Sequence, residues 1–204
     1  RMPLDHLLKV IVLGRSQVGK TSFVQQYVSG HFKEGYKVTI GVDFAMKTME
    51  WSDDQIIRLQ FWDIQGQEDT LPMTRAFYKD ADGCILMFDL TNDKSFKYCK
   101  LLKQAVDTEI PTKDGHSLPC ILLGNKCDLT NRVMTSKDVA DLSNSLQCIA
   151  WKEISVKENR HVEESVRCIL EAIMEKRTVP NEPVLNTIED IPKTPPRHRS
   201  CCKT

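Results

Sequence analysis

An eight-residue string, Gly14-Arg15-Ser16-Gln17-Val18-Gly19-Lys20-Thr21, stands between an apolar run and a segment of helical period. The pattern G-x-x-x-x-G-K-[ST] requires a strand to end, the chain to turn, and a helix to begin with its first amides facing one point. Backbone N–H groups there surround phosphate oxygens, Lys20 adds a point charge, and the Thr21 hydroxyl is suited to ligate Mg2+. A strand that enters a helix in this way must return by a crossover, so its next neighbour in the sheet is parallel.

The rest of the chain agrees. Apolar runs at Leu7-Leu13, Ile85-Leu90 and Leu118-Leu123 alternate with helix-length segments near 20-29, 93-109, 135-147 and 161-177. Continuous apolar runs mark strands covered on both faces. Val42-Glu50 and Ile56-Asp63 instead alternate residue by residue, with Ile57, Leu59 and Phe61 on one side, and Ser52-Asp53-Asp54 between them. They read as a hairpin that brings one antiparallel strand to a sheet edge. In the last helix Val162, Val166, Ile169, Leu170 and Ile173 form one stripe, which is core. The expected fold is α/β: a six-stranded, mostly parallel sheet with one antiparallel edge strand and helices on both faces.

From Thr178 the prolines Pro180, Pro183, Pro192, Pro195 and Pro196 break any helical period, which predicts a domain over 4-177 and a disordered tail over 178-204. Lys+Arg and Asp+Glu both count 28, so no global basic field favours a nucleic acid, and none is expected as a partner. Cys84, Cys99, Cys120, Cys127, Cys148 and Cys168 sit singly among apolar neighbours and read as reduced core thiols. No stretch reads as a membrane span or a signal peptide.

Three further segments carry chemistry. Gly124-Asn125-Lys126-Cys127-Asp128 follows an apolar strand, where open α/β sheets bind ligands. The Asp128 carboxylate can accept two hydrogens from the N1-H and 2-amino edge of guanine, whereas adenine presents an acceptor there and leaves the charge unpaired. Trp62-Asp63-Ile64-Gln65-Gly66-Gln67-Glu68 closes the hairpin's second strand. There Asp63 can hold Mg2+, Gly66 can offer its N–H to a terminal phosphate, and Gln67 can orient an attacking water. In Tyr36-Lys37-Val38-Thr39-Ile40-Gly41, Thr39 can reach the same metal when a third phosphate is present; alone it is an ordinary strand residue. The two loops form a pair ordered by that phosphate and released on its loss.

Taken in order and spacing, GRSQVGKT, TIGVDF, WDIQGQE, NKCD and EISVK resemble the Ras-like small GTPases over the whole folded part. TIGVDF, RLQFWDIQGQE, FYKDA and LMFDLT are similar to the Rab family. GVDFAMK, RLQ-x-WDI and MTR are most similar to the Rab subgroup of lysosomes and lysosome-related organelles. The resemblance implies a P-loop GTPase fold, GTP and GDP as substrate and product, Mg2+ as cofactor, and a slow intrinsic hydrolysis to which Gln67, Lys20 and Gly66 contribute. Its nucleotide contacts would be Gln17, Val18, Gly19, Lys20, Thr21, Ser22, Phe32, Tyr36, Thr39, Gly66, Asn125, Lys126, Asp128, Ser155, Val156 and Lys157. Phe32 would meet the guanine edge-on, Ser155 and Lys157 would support the base, and Ser22 would lie near the inner phosphate. Metal ligands would be Thr21, Thr39 and Asp63, the last through water. Phe44, Trp62 and Phe77 would shape an effector surface, or else be ordinary hairpin packing, and exposure separates the two.

Some positions depart from the family. Gln17 stands where small residues, often Gly, are usual, and it calls for an unusual backbone angle or strains the cradle. Gln65 replaces the usual Ala, and Asp69-Thr70 replaces Arg followed by an aromatic. The end, Arg197-His198-Arg199-Ser200-Cys201-Cys202-Lys203-Thr204, is a poor C-a-a-X box, but it resembles Rab tails carrying two prenyl groups on Cys201 and Cys202. Two chains give stable membrane residence, with the nearby basic residues favouring anionic lipid; the competing reading is an exposed reactive thiol pair. The family implies an exchange factor, a GTPase-activating protein, a GDP-dissociation inhibitor or prenylation escort, effectors, and residence on the cytoplasmic face of endosomal, lysosomal, lysosome-related or Golgi membranes with cycling through the cytosol. A nucleotide-binding module with impaired hydrolysis is the alternative, and a P-loop kinase a more distant one that leaves NKCD unexplained.

Overall fold

The computed structural model describes residues 2–32, 42–64, 75–110 and 117–178, without the side chains of residues 75 and 178. Six strands, β1 (Leu4–Gly14), β2 (Val42–Ser52), β3 (Gln55–Ile64), β4 (Gly83–Asp89), β5 (Cys120–Asn125) and β6 (Ala150–Glu153), form one sheet in the order β2-β3-β1-β4-β5-β6. Every neighbouring pair is parallel except β2 with β3. The expected mixed sheet is therefore observed, with β2 as its antiparallel edge.

Four α-helices occur among the described residues: α1 (Lys20–Ser29), α2 (Asp93–Glu109), α3 (Ser136–Ser145) and α4 (Val162–Thr178). The third is shorter than the predicted 135-147, because Thr135 caps it: its hydroxyl accepts from the Asp138 N–H while the Asp138 carboxylate accepts from the Thr135 N–H. Asn92 caps α2 by a single bond, its side chain accepting from the Ser95 N–H.

Alternate strand residues divide between two cores. Leu8, Val10, Val12, Ile57, Leu59 and Phe61 pack with Phe23 and Tyr27 of α1 and the Val162-to-Ile173 stripe of α4. Ile11, Leu13, Leu86 and Phe88 pack with Tyr98 and Leu102 of α2 and Val139 and Leu142 of α3 on the other face. Every residue of β4 and β5 is buried between these layers. Cys84, Cys99 and Cys120 are core thiols as expected, but Cys127, Cys148 and Cys168 are half-buried at its margin; all six are unbridged. Because β1 lies between β3 and β4, the connections diverge at its C-terminal end, and the crevice there lies where ligands of such sheets bind.

Candidate nucleotide site

The eight-residue string occupies that crevice, leaving β1 at Gly14 and entering α1 at Lys20. Gly19 precedes the helix with φ 103°, a left-handed angle natural to glycine, and a Cβ there would lie 2.4 Å from the Asn125 Nδ2. The start of α1 has no side-chain cap and no acid in its first turn, whereas α2 and α3 have both. The positive end of its dipole therefore meets no acidic side chain of its own first turn. Gln17 adopts φ 68°, the unusual angle its position demanded, with the side chain exposed.

Lys20 is 7% exposed and donates to the carbonyls of Gly14 at 3.0 Å and Arg15 at 3.1 Å. Burial lowers its pKa to about 8, opposed by the nearby Asp63 carboxylate. Thr21 Oγ1 donates to Asp63 Oδ2, so the helix start and the end of β3 meet through a hydroxyl and a 2%-exposed carboxylate. Hard oxygen donors of this kind, few in number, suit Mg2+ that also takes ligands from a bound phosphate. The donor set therefore fits the metal the family implies. Ser22 lies half-buried in the first turn of α1, and Phe32 is exposed just past its end.

The second corner is built from β5 and the segment after β6. Asn125 is 4% exposed; its Nδ2 donates to the Val18 carbonyl at 2.9 Å, and its Oδ1 accepts from the Val156 N–H at 3.1 Å. One side chain thus joins the phosphate loop, β5 and residues 154-156. Asp128 accepts from the Ser155 hydroxyl at 2.6 Å, and Ser155, fully buried, accepts in turn from the Glu158 N–H at 3.1 Å. A hydroxyl on one carboxylate oxygen fixes the plane of the group and leaves it in place to accept donors from a base edge. Lys126 has φ 67°, and its ammonium pairs with Asp89 at 2.6 Å, while Lys157 is exposed at the rim.

The aromatic trio is in contact: Phe44 meets Trp62 edge-on at 5.8 Å, and Trp62 meets Phe77 at 6.3 Å. Phe44 is 49% exposed and the other two are half-buried, with Lys9 Nζ 4.1 Å above the Trp62 ring. Phe44 is the exposed member, whereas Trp62 and Phe77 also pack against the core on the α2 and α3 side. Tyr36, Thr39, Gly66, Gln67, Cys201 and Cys202 lie outside the described residues, as do Gln65 and Asp69-Thr70. Asp89, which holds Lys126, was not among the expected site residues. It stands directly beside Asn125 in the β4–β5 register, so the rule that selects residues at the C-terminal ends of strands would have found it.

A sequence profile of the Ras family matches residues 9–175. The Ras-related protein Rab-7L1 of Homo sapiens is 44% identical over 174 residues, covering 85% of this chain and 86% of that protein. The Ras-related protein Rab-32 of Mus musculus is 35% identical over 203 residues, covering 97% and 91%, and the Ras-related protein Rab-32A of Dictyostelium discoideum is 36% identical over 207 residues, covering 98% and 94%.

Proposed function

Because this chain belongs to the Ras family, as a Rab-type small GTPase that acts as a GTP-hydrolysing switch in membrane trafficking, we propose that the crevice at the end of β1 is its guanine-nucleotide site. The observation that carries the assignment is the Asp128–Ser155 pair, tied through Asn125 to the phosphate loop. Asp128 reads the guanine edge, with Lys126, Ser155, Val156 and Lys157 around the base and Phe32 at its open side. Residues 17–20 wrap the phosphates through their amides and the Lys20 ammonium, beside Ser22. Tyr36, Thr39 and Gly66 complete the terminal-phosphate contacts.

Mg2+, when bound, would neutralise phosphate charge; Thr21, Asp63 through water, and Thr39 are the residues that would hold it. Gln67 orients the attacking water, while Lys20 and the Gly66 amide stabilise charge on the transferred phosphoryl group. Intrinsic turnover is slow until a GTPase-activating protein engages. An exchange factor, a GDP-dissociation inhibitor or prenylation escort, and effectors complete the cycle, the effectors meeting Phe44, Trp62 and Phe77. The tail anchors the protein through prenyl groups on Cys201 and Cys202 to the cytoplasmic face of an endosomal, lysosomal, lysosome-related or Golgi membrane, from which it cycles through the cytosol.

Single-turnover hydrolysis of preloaded GTP tests the catalytic assignment. Gln67→Leu is expected to slow it by about tenfold or more. Equal rates in variant and wild type would remove Gln67 from the mechanism and leave a nucleotide-binding module.

A further inference from the structure

We propose that Asp89 is a positioning residue for nucleotide retention, acting through Lys126; the inference rests on the assignment of residues 125-128 to the guanine base. Asp89 ends β4, is 7% exposed, and is itself fixed: its Oδ1 accepts from the Thr91 N–H at 2.8 Å and the Thr91 hydroxyl at 2.7 Å, and its N–H donates to Ser95 Oγ at 3.0 Å. Its second oxygen, Oδ2, lies 2.6 Å from Lys126 Nζ.

Lys126 needs such a hold. Its backbone takes a left-handed φ of 67°, a conformation that side-chain-bearing residues adopt only where the surroundings enforce it. Backbone bonds secure part of the turn, Leu90 N–H to the Asn125 carbonyl at 3.0 Å and Leu129 N–H to the Lys126 carbonyl at 3.0 Å. The side chain is secured by Asp89. With its ammonium held at one end and its backbone at the other, the four-carbon stem becomes a rail of fixed position beside the base-reading carboxylate. Asp89 also neutralises the ammonium, so the lysine contributes its apolar stem rather than a mobile charge. The arm from β4 thus lowers the entropy Lys126 must lose when a nucleotide binds.

The experiment compares GDP release from loaded, full-length wild type, Asp89→Asn, Lys126→Met and the double variant. Asparagine retains an oxygen for the two Thr91 donors and turns an amide N–H2 toward the ammonium, breaking only the ion pair. Asp89→Asn is expected to release GDP about tenfold faster, the weight of one hydrogen bond to a charged group. In the Lys126→Met background the same change should alter release by less than about twofold, and GTP hydrolysis by the loaded single variant should keep its wild-type rate. An unchanged release rate in Asp89→Asn would overturn the proposal. So would an undiminished effect without the lysine, or a parallel loss of hydrolysis, either of which would mark a general distortion of the β4 end. Wild type that retains no GDP after loading would instead refute the base-site assignment itself.

Discussion

The two ends of the crevice are prepared for a ligand in different ways. At the base end, Asn125, Asp128, Ser155 and Asp89 bond to partners they can keep when a nucleotide arrives: the Val18 carbonyl, the Val156 amide, the Ser155 hydroxyl and Lys126. At the phosphate end the polar groups face each other, Lys20 on the Gly14 and Arg15 carbonyls and Thr21 on Asp63. On the proposed assignment those bonds would be exchanged for contacts to phosphate and metal. A rigid reader of the base joined to a phosphate corner that changes partners is suited to a switch, because base contacts can hold the nucleotide while the third phosphate comes and goes.

Lys20 is where that contrast can be broken with the largest effect. Lys20→Met should weaken GDP and GTP binding by roughly a hundredfold or more, measured by displacement of a fluorescent guanine nucleotide, since it removes a buried charge-assisted contact. The same variant carries a pH signature in nucleotide-free protein. The Lys20 pKa of about 8 lies below its unfolded value of 10.5, so the folded state resists charging it. That cost is fully present below pH 8 and disappears as pH rises toward the unfolded pKa. The unfolding free energy of Lys20→Met relative to wild type should therefore be larger at pH 7 than at pH 10, since the loss of the Gly14 and Arg15 carbonyl partners cancels in that comparison. A margin independent of pH would contradict this.

Asp128→Ala should come next. It should lose guanine affinity by about 30-fold or more and abolish preference over adenine nucleotides in competition, because the base edge loses both acceptors. Asn125→Ala leaves the Val18 carbonyl and the Val156 N–H buried without their partner, and should cost about 2 kcal/mol of stability by chemical denaturation together with faster GDP release. The smallest change expected is at Gln17. Its left-handed backbone costs a non-glycine residue about 1 kcal/mol, so Gln17→Gly should relax the cradle and slow GDP release by a few-fold. Release at an unchanged or faster rate would remove strain at Gln17 as a tuning device.

The fold was legible wherever sequence period reports burial. Ile57, Leu59 and Phe61 are all fully buried, as their alternation with Arg58 and Gln60 requires, and the stripe from Val162 to Ile173 faces the core. β6 was counted but not located, because Ala150–Glu153 is four residues long, half-buried throughout and without an apolar run. In the site, glycine spacing and strand ends point to Lys20, Asp63 and Asn125. They do not reveal that Asn125 clamps the phosphate loop or that Asp89 holds Lys126, since both contacts join segments distant in sequence through the sheet order. The exposure of Phe44 was equally hidden, because β2 alternates as any hairpin strand does, and only the open face beside β3 decides which side meets solvent.

The central claim is that this crevice holds a guanine nucleotide with its base fixed and its phosphates dependent on metal. It is tested most directly by denaturing the purified protein, identifying the released nucleotide by chromatography, and measuring release from intact protein with and without EDTA. The account predicts copurified GDP or GTP, retained in Mg2+ and lost much faster on chelation. Protein that carries no guanine nucleotide and fails to load GTP, or release indifferent to EDTA, would contradict it.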